Sequence, residues 1–77
     1  MISLKKVNKK ISTDSNGKDV LQVSLVADTA AEVIAIGTNP ATIVGMPTNA
    51  VLAPFSTCFT TEQVLLMLGS NGVWKEG

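Results

Sequence analysis

The sequence predicts a small all-β or β-dominated single domain of short strands and hairpins, completed by oligomerisation. Three observations lead there. Short runs rich in Val, Leu and Ile recur about every 8–12 residues between clusters of Gly, Pro, Asn and Ser, the spacing of a strand-and-turn fold. Asp19–Ala27 alternates along its length, with Leu21, Val23 and Leu25 on one side and Val20, Gln22, Ser24 and Val26 on the other. The chain has 77 residues, 45% of them hydrophobic. A domain of this size buries only about 60% of its unfolded surface, so association is a common way to complete its core.

Each element follows from local pattern. Met1–Ile11 starts with Ile2 and Leu4 alternating against polar neighbours. The phase then changes around Lys5 and Lys6, and Val7 and Ile11 stand four apart, which reads as a first strand or an extended arm. Ser12–Lys18 is a polar turn in which Asn16-Gly17 signals a hairpin into the strand Asp19–Ala27. Asp28–Glu32 reads as a turn or one helical turn with Asp28 as a possible N-cap, and Val33–Ile36 as a short apolar run stopped by Gly37-Thr38-Asn39-Pro40. Ala50–Ala53 is a further short strand ended by Pro54, and Phe55–Thr61 is a segment rich in Ser and Thr. Val64–Leu68, the turn Gly69–Gly72 and Val73–Lys75 form a second hairpin. The organisation that results is an N-terminal strand or arm over 1–18 with its lysine cluster, followed by a β-rich body over 19–77.

Composition narrows the chemistry. There is no His, no Arg and no Tyr, and there is a single Cys. One thiol without His makes neither an intrachain disulfide nor a four-ligand zinc site, and offers no base for a Ser or Cys nucleophile. The expectation is no enzyme, no cofactor and no metal. Six lysines balance six Asp and Glu, and net neutrality without Arg argues against nucleic acid as a partner. No apolar run reaches the roughly 18 residues of a membrane span, and the N-terminal lysines precede no signal-peptide core. Folding in a reducing cytoplasm is expected.

Four groups of residues stand out. Val64–Leu68 is apolar at every position, whereas a strand covered on one side should alternate. With Trp74 near the chain end, this predicts an oligomer interface through Val64, Leu66, Leu68 and Trp74. Lys5, Lys6, Lys9 and Lys10 form either a solvated, edge-protecting face or a surface that docks on an acidic partner. Asp28 and Glu32, four apart, suit a capping role better than a cation site, which needs more oxygen ligands. Cys58, between Thr57 and Phe59, reads as a buried, inert thiol.

From residue 20 onward the order of blocks is itself informative. Val26-Ala27-Asp28-Thr29-Ala30-Ala31-Glu32-Val33 and Ala35-Ile36-Gly37-Thr38 come first, then Val44-Gly45-Met46-Pro47. Leu52-Ala53-Pro54-Phe55-Ser56-Thr57-Cys58 and Met67-Leu68-Gly69-Ser70-Asn71-Gly72-Val73-Trp74 follow. Together, over roughly residues 20 to 75, they resemble the small head-fibre or minor virion proteins of phages and prophages of Gram-positive bacteria. The resemblance implies a multimeric, non-enzymatic virion component attached to the capsid surface, with no catalytic residues to carry over, and it assigns nothing to residues 1–18.

The expected function is therefore a bacteriophage virion structural protein, a head-fibre or capsid-decoration subunit assembled in the host bacterial cytoplasm. It would associate with itself, a trimer being the leading expectation, and attach to the major capsid protein or another virion protein. A receptor- or glycan-binding tip module, for which Trp74, Phe55 and Phe59 are the available aromatics, is the alternative, and a small cytoplasmic interaction protein is another.

Overall fold

The computed structural model describes residues 1–76. They form one six-stranded mixed sheet with a single helix, a β-dominated fold. The elements are β1 (Ser3–Thr13), β2 (Asp19–Ala27), α1 (Ala30–Ile36), β3 (Ala50–Leu52), β4 (Thr57–Thr60), β5 (Leu65–Leu68) and β6 (Trp74–Glu76). Across the sheet the order is β1-β2-β4-β5-β6, with β3 also paired to β2. β1 runs antiparallel to β2 from Ser3 opposite Val26 to Thr13 opposite Asp19, so residue 18 lies in a hairpin turn within one sheet.

The three hairpins share one turn design. Each has a three-residue loop whose last residue is left-handed, the form that combines a type I turn with a bulge. Gly17 (φ 78°) and Gly72 (φ 79°) fill that position after β1 and β5, where the absence of a Cβ removes the steric cost. In the first, the Asp14 N–H donates to the Lys18 carbonyl at 2.8 Å and the Gly17 N–H to the Asp14 carbonyl at 3.0 Å. Asn16-Gly17 thus makes the expected hairpin with one loop residue more than the two-residue form. Between β4 and β5 the left-handed residue is Gln63, at φ 64°. An L side chain there costs about 1–2 kcal/mol. The loop is tied down on both sides: Thr60 Oγ1 accepts from the Val64 N–H at 3.2 Å, and Thr61 Oγ1 donates to the Asp28 carbonyl at 3.0 Å.

Two features differ from the sequence expectation. The stretch from Ala30 to Ile36 is helical throughout, and its N-cap is Thr29, not Asp28. Thr29 and Glu32 form a reciprocal capping box that satisfies two of the free N–H groups of the first turn. The Glu62 carboxylate takes a third, from Ala30, at 3.0 Å. The second difference is that β3 and β4 both run parallel to β2. Parallel neighbours require a long crossover, and the segment 28–49, with α1 inside it, supplies one.

β3 and β4 lie end to end along the same side of β2. Asp19, Val20 and Leu21 pair with Ala50, Val51 and Leu52, and Ser24–Ala27 pair with Thr57–Thr60. Between these ladders Gln22 and Val23 stand opposite Ala53-Pro54-Phe55-Ser56, so the partner strand carries two extra residues. They are accommodated in a turn closed by the Ser56 N–H on the Ala53 carbonyl at 3.3 Å, which leaves Phe55 left-handed at φ 70°. Ser56 is fully buried and repairs the break: its hydroxyl accepts from the Val23 N–H at 3.1 Å and donates to the Ala53 carbonyl at 2.8 Å.

One sheet face carries the core. Leu21, Val23, Leu25 and Ala27 of β2 pack with Ala50, Leu52, Cys58, Leu66, Leu68 and Trp74 of the neighbouring strands, together with Val33 of α1, Ile2 and Ile43. The Trp74 indole N–H donates to the Gly37 carbonyl at 2.8 Å, which satisfies its polar end and pins β6 to the helix terminus.

Replacing Ser56 by Ala keeps the volume nearly constant but leaves the buried Val23 N–H without an acceptor, a loss of about 1–3 kcal/mol. Urea denaturation followed by Trp74 fluorescence should show the midpoint falling accordingly, while Ser70→Ala in an exposed turn leaves it unchanged.

Candidate assembly surface

The residues expected at an oligomer interface fall mostly in the chain's own core. Leu66 and Leu68 are 0% exposed and Trp74 2% exposed. Val64 is half-buried beside the core, its N–H and carbonyl closing the β4–β5 hairpin on Thr60. The physical reason is the sheet register. Leu66 lies opposite Cys58 and Leu68 opposite Trp74, all on the face beneath α1 and the crossover, so these side chains are covered without a second subunit.

What a two-faced apolar strand leaves uncovered is its other face. Leu65 and Met67 point away from the core. Leu65 lies opposite Phe59, which lies opposite Val26; Met67 lies opposite Thr57, which lies opposite Ser24. Val26, Phe59, Leu65 and Met67 are 38%, 51%, 46% and 44% exposed. They form one contiguous apolar patch across the middle three strands. Within the apolar strand the residues that the sequence points to, Leu66 and Leu68, are the inward set, and Leu65 and Met67 are the outward one. The pairing of Leu68 with the buried Trp74 fixes the even-numbered residues of β5 as inward.

The lysine cluster does not form a single surface either. β1 carries irregularities between Leu4 and Lys6, Val7 and Lys9, and Lys10 and Ser12, so it slips one residue against β2 about every third position. Each slip changes which face the following residues occupy. Lys6 lies opposite Ser24 and Lys9 opposite Gln22, on the open face with the apolar patch. Lys10 lies opposite Leu21, on the other side, and its ammonium pairs with Asp19 at 3.1 Å. Lys5 is the extra residue of the first slip. The four lysines therefore share no single face, and only Lys6 and Lys9 are placed by the register on the open one. Lys75, opposite Met67, adds a third cation at the far side of the patch.

The margin of this face near the end of β2 is acidic. Asp28 follows the strand, and a shallow depression joins it to Met1, Ser3, Val26 and Thr61. The Met1 ammonium pairs with Asp28 and Glu32, both at 2.7 Å. Hydrogen bonding to Asp28, then to Glu32, raises the amine above its ordinary value, and the same ammonium holds the Glu32 carboxyl below the usual carboxylate range. Asp28 and Glu32 thus serve the chain terminus and the helix cap.

Phe55 borders the same face. The Gln22 side chain, on the open side of β2, reaches the Phe55 carbonyl at 3.5 Å. The residue is exposed as well as left-handed. An aromatic in a conformation that favours Gly, unburied in the chain itself, is a local cost with no return in packing.

Comparison with protein-family models, with curated proteins and with solved structures returns no match. No helix among the described residues is long and apolar enough to cross a membrane.

Cys58 is fully buried between Leu25 and Leu66 in the sheet. Burial, reinforced by the negative charge of Glu32, pushes its thiol up to about 11 from an ordinary 9.0. A raised acid favours the folded state below the unfolded value and loses that contribution as the pH climbs through the folded one. Stability should therefore fall between about pH 9 and 11, and Cys58→Ala should remove this component of the fall. Alkylation by iodoacetamide at neutral pH should be negligible in the folded chain and rapid in urea, because the reactive species is the exposed thiolate.

Proposed function

We propose that this chain is a non-enzymatic structural protein of a bacteriophage virion, a head-fibre or capsid-decoration subunit that works through its open sheet face. The observation that carries the reading is the contrast between the two faces. One closes a complete core within a single chain, down to the indole N–H of Trp74. The other holds Val26, Phe59, Leu65 and Met67 half-exposed side by side. A contiguous apolar patch of this kind, with polar and charged residues at its rim, suits protein association. The absence of His, Arg and Tyr from the chain leaves little acid–base chemistry at neutral pH and favours assembly over catalysis. The order of sequence blocks from Val26 to Trp74 supports placement among head-fibre and minor virion proteins. Many copies on a repeated lattice would turn weak single contacts into firm attachment.

The test is particle association. In a density gradient of lysate from a producing host, the chain should band with the capsids in multiple copies per particle and stay with them on repeated banding. Phe59→Ser, which alters only the open face, should reduce the copy number several-fold. A chain that remains entirely in the unassembled fraction, while folded by Trp74 fluorescence, contradicts the reading.

A further inference from the structure

We propose that the open sheet face is the interface of a two-fold homodimer, with the Asp28 end of each copy lying over the Lys6–Lys9 end of the other. This deepens the structural reading above by naming the occupant of the face, and it concerns the isolated protein where the particle experiment concerns the virion, so either can fail alone.

Charges are ordered along the face. On β2 the open-side positions run Gln22, Ser24, Val26, with Asp28 just past the strand end. Their neighbours on β1 are Lys9, Lys6 and Ser3. The surface therefore passes from cationic at Lys9 and Lys6, through the apolar row Val26, Phe59 and Leu65, to Asp28, which is exposed beyond its contact with Met1. Opposite charges at the two ends of one apolar patch are self-complementary under a two-fold rotation. An axis between the Phe59 row and the Met67 row sets Leu65 on Met67 of the other copy, lays Val26 and Phe59 over its Ser24 and Thr57, and brings each Asp28 toward Lys9 of the other copy. A ring of three needs two different patches that fit each other, whereas here one patch holds both signs. Two-fold pairing thus replaces the trimer expected from sequence.

A second observation concerns the edges. Extending the sheet at β1 would require a regular ladder of free backbone groups, but three irregularities and the lysines break that edge. At the other side β6 offers only three residues. Self-association is thereby directed to the face. Phe55 fits the same scheme: its strained, exposed ring stands at the border of the patch, where a second copy would cover it.

Sedimentation equilibrium of the isolated chain gives the test. The wild type should shift from the 8.0 kDa chain mass toward twice that value with rising concentration. Phe59→Ser should weaken dimerisation by at least about tenfold. Phe55→Gly should weaken it while raising, or at least not lowering, the melting temperature, because it relieves the left-handed strain. Lys9→Asp and Asp28→Lys should each weaken it, and the double variant should recover most of the loss, with Trp74 fluorescence confirming that every variant is folded. The proposal is overturned if the wild type stays monomeric up to about 1 mM or settles at three chains. It is equally overturned if folded Phe59→Ser dimerises normally, or if the charge exchange brings no recovery.

Discussion

Strand β2 sits in the middle of this molecule, and its long side is paired by a strand that is interrupted. The bond from the Val23 N–H to the Ser56 hydroxyl closes that interruption. Without it a buried N–H at the centre of the sheet would have no acceptor. The same short turn sets much of what surrounds it. The Ala53 N–H donates to the Leu21 carbonyl at 2.8 Å, the Phe55 N–H to the Leu68 carbonyl at 2.7 Å, and the Leu68 N–H to the Ser56 carbonyl at 2.8 Å. The turn therefore fixes the end of β5. The β5 end in turn fixes β6, since Leu68 pairs with Trp74, and Trp74 reaches back to Gly37 at the end of α1. A serine is suited to the position because one hydroxyl both accepts and donates.

That arrangement produces a one-sided sheet. The crossover from β2 to β3 lays α1 and the 37–49 segment on the inward face, and none of the described residues returns over the other. The outward face is then left with the alternate residues of β2, β4 and β5. At four of these, Val26, Phe59, Leu65 and Met67, the side chain is apolar. The rim is charged and the β1 edge irregular, which blunts edge-to-edge pairing while keeping the face accessible. The physical logic favours a module whose interactions are made by a broad surface rather than by a cleft, and this is the basis for reading it as an assembly protein.

Much of this was legible in the sequence. Strict alternation made β2 plain, Gly at 17 and 72 marked two hairpins, and a lone Cys with no His to activate it read correctly as buried. The capping box on Thr29 was readable as a Thr with Glu three residues on, but Asp28 beside it drew the cap assignment. The facing of β5 was not legible, because an all-apolar strand contains no periodic signal and only its partner at Trp74 distinguishes the sides. Nor were the slips of β1, which follow a spacing near three and scatter four consecutive-looking lysines over different faces. The parallel pairing of β3 and β4 with β2 depends on contacts more than thirty residues apart in sequence, and a turn with Phe at its left-handed position gives no Gly or Asn to announce it.

The central claim is that the inward face is complete in one chain and the outward face is where partners bind. Methyl and indole NMR spectra recorded over a wide concentration range test it most directly. The account predicts that resonances of Val26, Leu65 and Met67 shift as the chain associates while those of Leu66, Leu68 and Trp74 stay fixed. Concentration-dependent shifts of Leu66, Leu68 and Trp74, with Leu65 and Met67 unmoved, would contradict it and return the interface to the core residues.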